Sequence, residues 1–229
     1  MPDLNGSRIL VLGASGELGR RLAKLLARHG ATLALAGRRE ERLLEVADDI
    51  EGDPRAIVAD LRKPEDNRRV VAEAVAAMGG LDGVVNAAGV VAFGPLAEMG
   101  PETVDELFRV NLLGPLEVIQ ESVPHLQGGF VVNLTGVVAE SPVANMTAYS
   151  AAKAGLSAAA TALTRELRRS GVPFVDARPP HVETGLADRP ISGEAPRMPD
   201  GLDPDAVAAA IVEGIETGQR ELPAASFVA

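Results

Sequence analysis

The sequence predicts an α/β fold, a doubly wound parallel sheet in three layers with helices on both faces. Three observations predict it. Short apolar runs bounded by turn residues alternate with longer stretches of helical spacing along the chain, as expected for parallel strands joined by crossover helices. The first run leads straight into a glycine turn and then a helix, Ile9-Leu10-Val11-Leu12-Gly13-Ala14-Ser15-Gly16-Glu17-Leu18-Gly19. The composition, 46% hydrophobic and 24% charged over 229 residues, suits a single domain, 1–229, that buries a full core. Only 3% of residues are aromatic, so alanine and branched aliphatic side chains must fill that core.

The elements follow in order. Arg8 to Leu12, Thr32 to Ala36, Ala56 to Ala59, Gly83 to Asn86, Phe130 to Leu134 and Phe174 to Ala177 are short apolar runs, the pattern of strands buried on both faces. Leu18 to His29, Arg39 to Ile50, Pro64 to Met78, Pro101 to Val123 and Thr147 to Arg169 carry helical spacing and fit right-handed crossovers. A last helix is expected over Pro204 to Glu216, with Asp203 as N-cap and Pro204 at the first helical position, then a short strand near Ser226 to Ala229. Gly185 to Leu202 is rich in proline, glycine and charge. Ligands of such folds bind at the carboxyl ends of the strands, so a loop there is a candidate substrate lid.

Composition excludes several functions. With no cysteine there is no disulfide framework, thiolate metal site or cysteine nucleophile. The three histidines, His29, His125 and His181, are scattered, and no metal site is expected. A net charge of −10 opposes nonspecific attraction to nucleic acid. Met1 to Ser7 lacks the basic flank and apolar run of a secretory signal, and no stretch reaches the roughly 18 apolar residues of a membrane span. A cytoplasmic protein without a membrane partner is expected. Residues 1–69 carry a net charge of +1 and residues 70–229 a net charge of −11, so a small anion is best placed in the first third.

The glycine turn names that anion. Gly13, Gly16 and Gly19 let the backbone approach a pyrophosphate, while Ser15, Glu17 and Leu18 bring amides at a helix N-terminus, where the helix dipole favours negative charge. The pattern is the one expected of a Rossmann-type dinucleotide site. After the second strand, Arg38 and Arg39 stand where an acidic residue would accept hydrogen bonds from a ribose 2′-hydroxyl. Guanidinium groups suit a 2′-phosphate, which favours NADP(H) over NAD(H).

Tyr149 and Lys153 in Tyr149-Ser150-Ala151-Ala152-Lys153 are four apart and share one helix face. A nearby ammonium favours phenolate and makes tyrosine a usable acid/base. With Asp60 and Leu61 after the third strand, Asn86-Ala87-Ala88-Gly89 after the fourth, Asn111 in a helix, and Pro179, Val182 and Thr184 after the sixth strand, the chain resembles the short-chain dehydrogenase/reductase family over nearly its whole length. The resemblance implies that Asp60 contacts adenine, that Asn86 supports the sheet while the backbone to Gly89 lies along the cofactor, and that Thr184 contacts the nicotinamide amide. It also implies that Asn111 holds a water of a proton relay, that Tyr149 is the acid/base, and that Lys153 binds the nicotinamide ribose.

Three positions depart from the family pattern. Gly136 stands 13 residues before Tyr149, where the family has a serine donor, and strand alternation sends the neighbouring Thr135 to the opposite face. Ser141, Asn145 or a water are candidate replacement donors. Glu17 occupies a position where a glycine is commoner, and Pro179-Pro180-His181 replaces a Pro-Gly turn. The substrate pocket is expected at Gly136, Val137, Val138, Met146 and His181, with Val90, Val91, Phe93 and Val182 around it. Such a pocket suits a small apolar ketone, aldehyde or secondary alcohol. A catalytically silent NADP-binding regulator or scaffold of the same fold is the alternative. The alanine-rich helix Thr147 to Arg169 permits close helix approach on two sides, so a homo-dimer or homo-tetramer is expected.

Overall fold

The computed structural model describes residues 3–126 and 128–227. Among the described residues seven strands run Arg8–Leu12 (β1), Thr32–Gly37 (β2), Arg55–Val58 (β3), Gly83–Asn86 (β4), Phe130–Leu134 (β5), Phe174–Ala177 (β6) and Glu221–Leu222 (β7). They form one parallel sheet in the order β3-β2-β1-β4-β5-β6-β7. The order reverses between β1 and β4, which opens a crevice at their carboxyl ends.

Helices Glu17–Arg28 (α1), Glu40–Asp48 (α2), Pro64–Met78 (α3), Pro101–Phe108 (α4), Gly114–Ser122 (α5), Thr147–Glu166 (α6) and Pro204–Thr217 (α7) cover the sheet. Alternate residues of β1 feed the two faces, as strand geometry requires. Ile9 and Val11 pack with Leu22, Leu26, Val207 and Ile211, whereas Leu10 and Leu12 pack with Val70, Val71 and Val118. Burying each such side chain contributes roughly 1.5–3 kcal/mol. At the central β4–β5 pair, Asn86 Nδ2 donates to Asn133 Oδ1 at 3.3 Å.

Two expected elements differ. The single helix over Pro101 to Val123 is divided by a π turn at Arg109–Leu113. Residue 115 is a proline and has no amide hydrogen to return to the Asn111 carbonyl, so the helix widens there. The last strand lies at Glu221–Leu222, ahead of the expected Ser226 to Ala229. Gly218 ends α7 in a left-handed conformation and the chain turns at once onto β6, where the Asp176 amide donates to the Arg220 carbonyl at 3.0 Å. Pro223, lacking an amide hydrogen, stops the strand. Ala224–Phe227 form a 3₁₀ turn, and residues 228–229 lie outside the described residues. No helix among the described residues is long and apolar enough to cross a membrane.

Candidate active site

The glycine turn emerges from β1 beside the β1–β4 crevice. A Cβ on Gly19 would lie 2.2 Å from the Gly13 carbonyl oxygen, so only glycine lets α1 start this close to the strand. The first amides of α1 have no intrahelical acceptor and face outward from its N-terminus. The unexpected Glu17 is absorbed by its own helix. Its carboxylate pairs with Arg21 and with Arg20, at 2.9 Å from the latter, and the hydrogen bond from Arg21 holds it below the usual carboxylate range. Arg21 also lies 2.9 Å from Asp205 of α7, so two guanidinium groups balance two carboxylates at the mouth of the turn. The free amides at the start of α1 fit a dinucleotide pyrophosphate.

The residues expected at an adenosine end lie where β2 and β3 finish. Arg38 and Arg39 are exposed, and Arg38 reaches to 4.0 Å from Glu106 of α4. Asp60 accepts from Arg62 at 2.6 Å, which also keeps its carboxyl low, and Arg62 lies 3.3 Å from Glu106. Sequence reasoning overlooked Arg62 and Glu106, because nothing in their spacing shows that a helix 44 residues on returns to this corner.

After β4, Ala88 N donates to Asn86 Oδ1 at 3.3 Å, which bends the chain toward Gly89. A Cβ on Gly89 would lie 3.1 Å from Asn111 Oδ1 and 3.6 Å from Lys153 Nζ, so these three residues converge. Asn111, fully buried in the π turn, donates to the carbonyls of Val90 and Leu107, both at 2.9 Å, and accepts from the Val90 amide at 3.2 Å. Its side chain is therefore committed to holding the loop after β4. Its backbone carbonyl receives no hydrogen bond from residue 115 one turn on, which is a proline.

Lys153 is buried, donates to the Leu134 carbonyl at 2.8 Å, and lies 6.0 Å from the centre of the Tyr149 ring. Burial lowers its ammonium to about 8, against a partly compensating attraction from Asp176. Burial also pushes the half-buried Tyr149 phenol up to about 12. The phenol is then fully protonated at neutral pH, the form that donates a proton.

Gly136 owes its identity to backbone geometry. Its φ of 80° and ψ of 163° fall in a region that only glycine occupies readily. Its amide and that of Thr135 both point to the Ala177 carbonyl, at 3.2 and 2.9 Å, and Val137 N donates to the Pro179 carbonyl at 2.9 Å. The loops after β5 and β6 are thereby stitched together, with Pro179 on the seam. Thr135 turns its hydroxyl to Asp176. The candidate donors Ser141 and Asn145 are both exposed. His181 lies 3.5 Å from Glu183 Oε1, at the neck of the 185–202 loop. That neck is closed by a parallel bridge between Val182 and Leu202. Val182 itself packs on the main core. Thr184 donates its amide to the Val182 carbonyl at 2.7 Å, and its own carbonyl accepts from Arg189 at 3.2 Å.

Of the expected pocket residues, Val91, Phe93, Val138 and Met146 form one apolar cluster with Tyr149, joined by Leu186, Ala187 and Ala195 of the 185–202 loop. Val90 and Ile191 pack on another side of Tyr149. The loop tip is pinned by Ile191 N to the Val91 carbonyl at 2.8 Å and Phe93 N to the Ser192 carbonyl at 3.0 Å. The loop's own contribution to the apolar cluster was hidden in a stretch with no periodicity.

The family model for short chain dehydrogenase matches residues 7–194. An uncharacterized oxidoreductase of Staphylococcus epidermidis is 30% identical over 216 residues, spanning 93% of this chain and 94% of the relative. A crystal structure of a short chain dehydrogenase from Burkholderia cenocepacia in complex with NADP superposes with a TM-score of 0.84 at 28% identity, covering 98% of this chain and 99% of that one. An alcohol dehydrogenase from the archaeon Thermococcus sibiricus, complexed with 5-hydroxy-NADP, gives a TM-score of 0.85 at 26% identity over 96% and 94% of the two chains. With the sheet order and the Tyr149–Lys153 helix already in place, this chain belongs to the short-chain dehydrogenase family of oxidoreductases.

Proposed function

We propose that this protein is an NADP(H)-dependent oxidoreductase that reduces a small, mainly apolar ketone or aldehyde, or oxidises the matching secondary alcohol. The observation that carries the reading is the placement of Tyr149 beside Lys153 on α6, under an apolar wall drawn from Val91, Phe93, Val138, Met146 and the 185–202 loop. When bound, the nicotinamide supplies or accepts the hydride. Tyr149 donates a proton to the substrate oxygen in reduction and takes one back in oxidation. Lys153 stabilises the phenolate left behind and binds the nicotinamide ribose, and the Asn111 carbonyl holds the water that restores the proton. The apolar wall excludes bulk water and strengthens these charge interactions. The amides of α1 hold the pyrophosphate, Asp60 the adenine, and the exposed Arg38 and Arg39 the 2′-phosphate. Two structural relatives were solved with NADP or a derivative of it, which supports the same preference. The small-residue side of α6, where Ala151 and Ala158 are exposed, is the proposed contact between subunits, and light scattering at micromolar concentration reads it directly.

Fluorescence titration with NADPH and NADH, followed by a screen of ketones and aldehydes for NADPH oxidation, tests the reading. Tyr149→Phe is expected to lower turnover by at least about 100-fold with dinucleotide affinity unchanged. Replacing Arg38 and Arg39 by serine is expected to weaken NADPH at least about tenfold and to leave NADH within about twofold. Tight NADPH binding with no turnover across the screen would favour the silent binder, and no binding of either dinucleotide would overturn the proposal.

A further inference from the structure

Behind Lys153 lies a buried carboxylate that the proposed reaction does not use. Asp176 of β6 is 4% exposed and accepts three hydrogen bonds: Thr135 Oγ1 on one oxygen, and Ser157 Oγ and Arg178 on the other, the last at 2.8 Å. A guanidinium can only donate, so this is the environment of a carboxylate. Two of the bridges lead back to the catalytic lysine. Ser157 is one turn beyond Lys153 on α6 and shares its face, so Tyr149, Lys153 and Ser157 form a stripe at four-residue spacing. Thr135 directly follows Leu134, whose carbonyl receives the Lys153 ammonium.

We propose that Asp176 is the buried counter-charge of Lys153, a positioning residue that keeps the lysine cationic and aimed at the reaction centre. Arg178 does not cancel this charge, because it is shared among three carboxylates, those of Asp176, Glu140 and Glu221. Glu140 and Glu221, with side chains 34% and 63% exposed, are more strongly screened than Asp176 at 5%, leaving Asp176 as the carboxylate whose attraction reaches Lys153 through the protein interior. The other charged groups near the cluster, Arg165 and Arg220, lie with Asp176 and Glu221 around a surface notch of about 200 Å³. On its own helix Lys153 faces only Tyr149 as a titratable neighbour, and from the π turn it faces the neutral Asn111. The serine that the family places on this strand end is absent, and two other hydroxyls, Thr135 on the opposite face of the strand end and Ser157 on the Lys153 face of α6, hold the Asp176 carboxylate.

The inference rests on the catalytic reading of Lys153 for its consequence, but its test does not require turnover. The chain has three lysines, Lys24, Lys63 and Lys153, so the 13C-labelled Cε signal of Lys153 can be assigned by Lys153→Arg and titrated in the free protein. Asp176→Asn is expected to move the Lys153 midpoint down by about one pH unit. Arg178→Gln is expected to move it up, and Ser157→Ala, which leaves the charge in place, to move it by less than about 0.3 unit. In turnover, Asp176→Asn should lose about sixfold more activity at pH 8.5 than at pH 6.5. A residue that merely braced the fold would shift none of these midpoints in opposite directions. An unchanged midpoint in Asp176→Asn overturns the proposal, as does a downward move in Arg178→Gln. Should Asp176→Asn not fold, the Arg178→Gln titration decides alone.

Discussion

Asn111 grips Val90 from both sides, donating to its carbonyl at 2.9 Å and accepting from its amide at 3.2 Å. A side chain is doing the work of a strand partner. The β4 strand ends at Asn86, so the chain beyond it has no sheet neighbour at Val90 and would otherwise leave two buried backbone groups unpaired. Asn111→Ala should therefore cost about 2–3 kcal/mol in urea unfolding, through unsatisfied donors and acceptors rather than through lost volume. Asn111→Leu, which restores the volume without the polar atoms, should be no more stable than Asn111→Ala.

Gly136→Ser places the family's usual side chain on a backbone that refuses it. The nearest atom to a Cβ at this position, the Pro179 carbonyl oxygen, is 3.8 Å away, so space is not the obstacle; the positive φ is. The cost is about 1–3 kcal/mol, a fall in Tm of about 2–12 °C. Gly136→Ala should fall by a similar amount, and a serine variant as stable as wild type would show that the loop after β5 readily takes another conformation.

Lys153 and Tyr149 give the free protein a distinctive stability profile above neutral pH. The lysine titrates near 8 when folded and near 10.5 when unfolded. Between these values the unfolded chain binds more protons, so stability rises with pH. Tyr149 reverses the sign, because its folded value of about 12 exceeds the unfolded 10.0: between them the native state binds more protons and stability falls. Urea midpoints should climb from pH 8 to about 10 and decline beyond it. Lys153→Met should flatten the climb, and Tyr149→Phe the decline.

Gly193 fixes how tightly the 185–202 loop lies over Tyr149. Its φ is 74°, and a Cβ there would come within 1.9 Å of the Phe93 carbonyl oxygen. Gly193→Ala should detach the loop tip while sparing the sheet, raising the KM for an apolar substrate. Trypsin should then cut after Arg197 about tenfold faster than in wild type. An unchanged cleavage rate would show that the tip does not depend on this contact.

Strand runs and helical periodicity were enough to write down six of the seven strands and the doubly wound order of layers, because each buried parallel strand advertises itself as an apolar run such as Ile9 to Leu12. Glu221–Leu222 was not legible, since a two-residue edge strand has no pattern and is placed by the turn at Gly218. The π turn at Arg109–Leu113 had a signal in Pro115, four residues after Asn111, that propensity reasoning passed over within a long helix. At the candidate site, the Tyr149–Lys153 pair was visible in the spacing and Asn111 only in the family resemblance. The absence of a serine at 136 could also be read, but its cause could not, because the φ of a single residue is set by how the loops after β5 and β6 are stitched together. Long-range partners such as Asp176 for Thr135, or Glu106 for Arg62, come from strand register and helix return, which no local window contains.

Tyr149, wedged among Val91, Phe93, Met146 and the 185–202 loop, is also the only tyrosine of a chain that has no tryptophan. The near-ultraviolet absorbance and intrinsic emission of the whole protein therefore arise almost wholly from one phenol at the proposed reaction centre. Ionisation of that phenol, followed by the rise in absorbance near 295 nm, needs no label, no assignment and no correction for other chromophores. Any event that wets or dries the pocket is written into the spectrum of the native molecule.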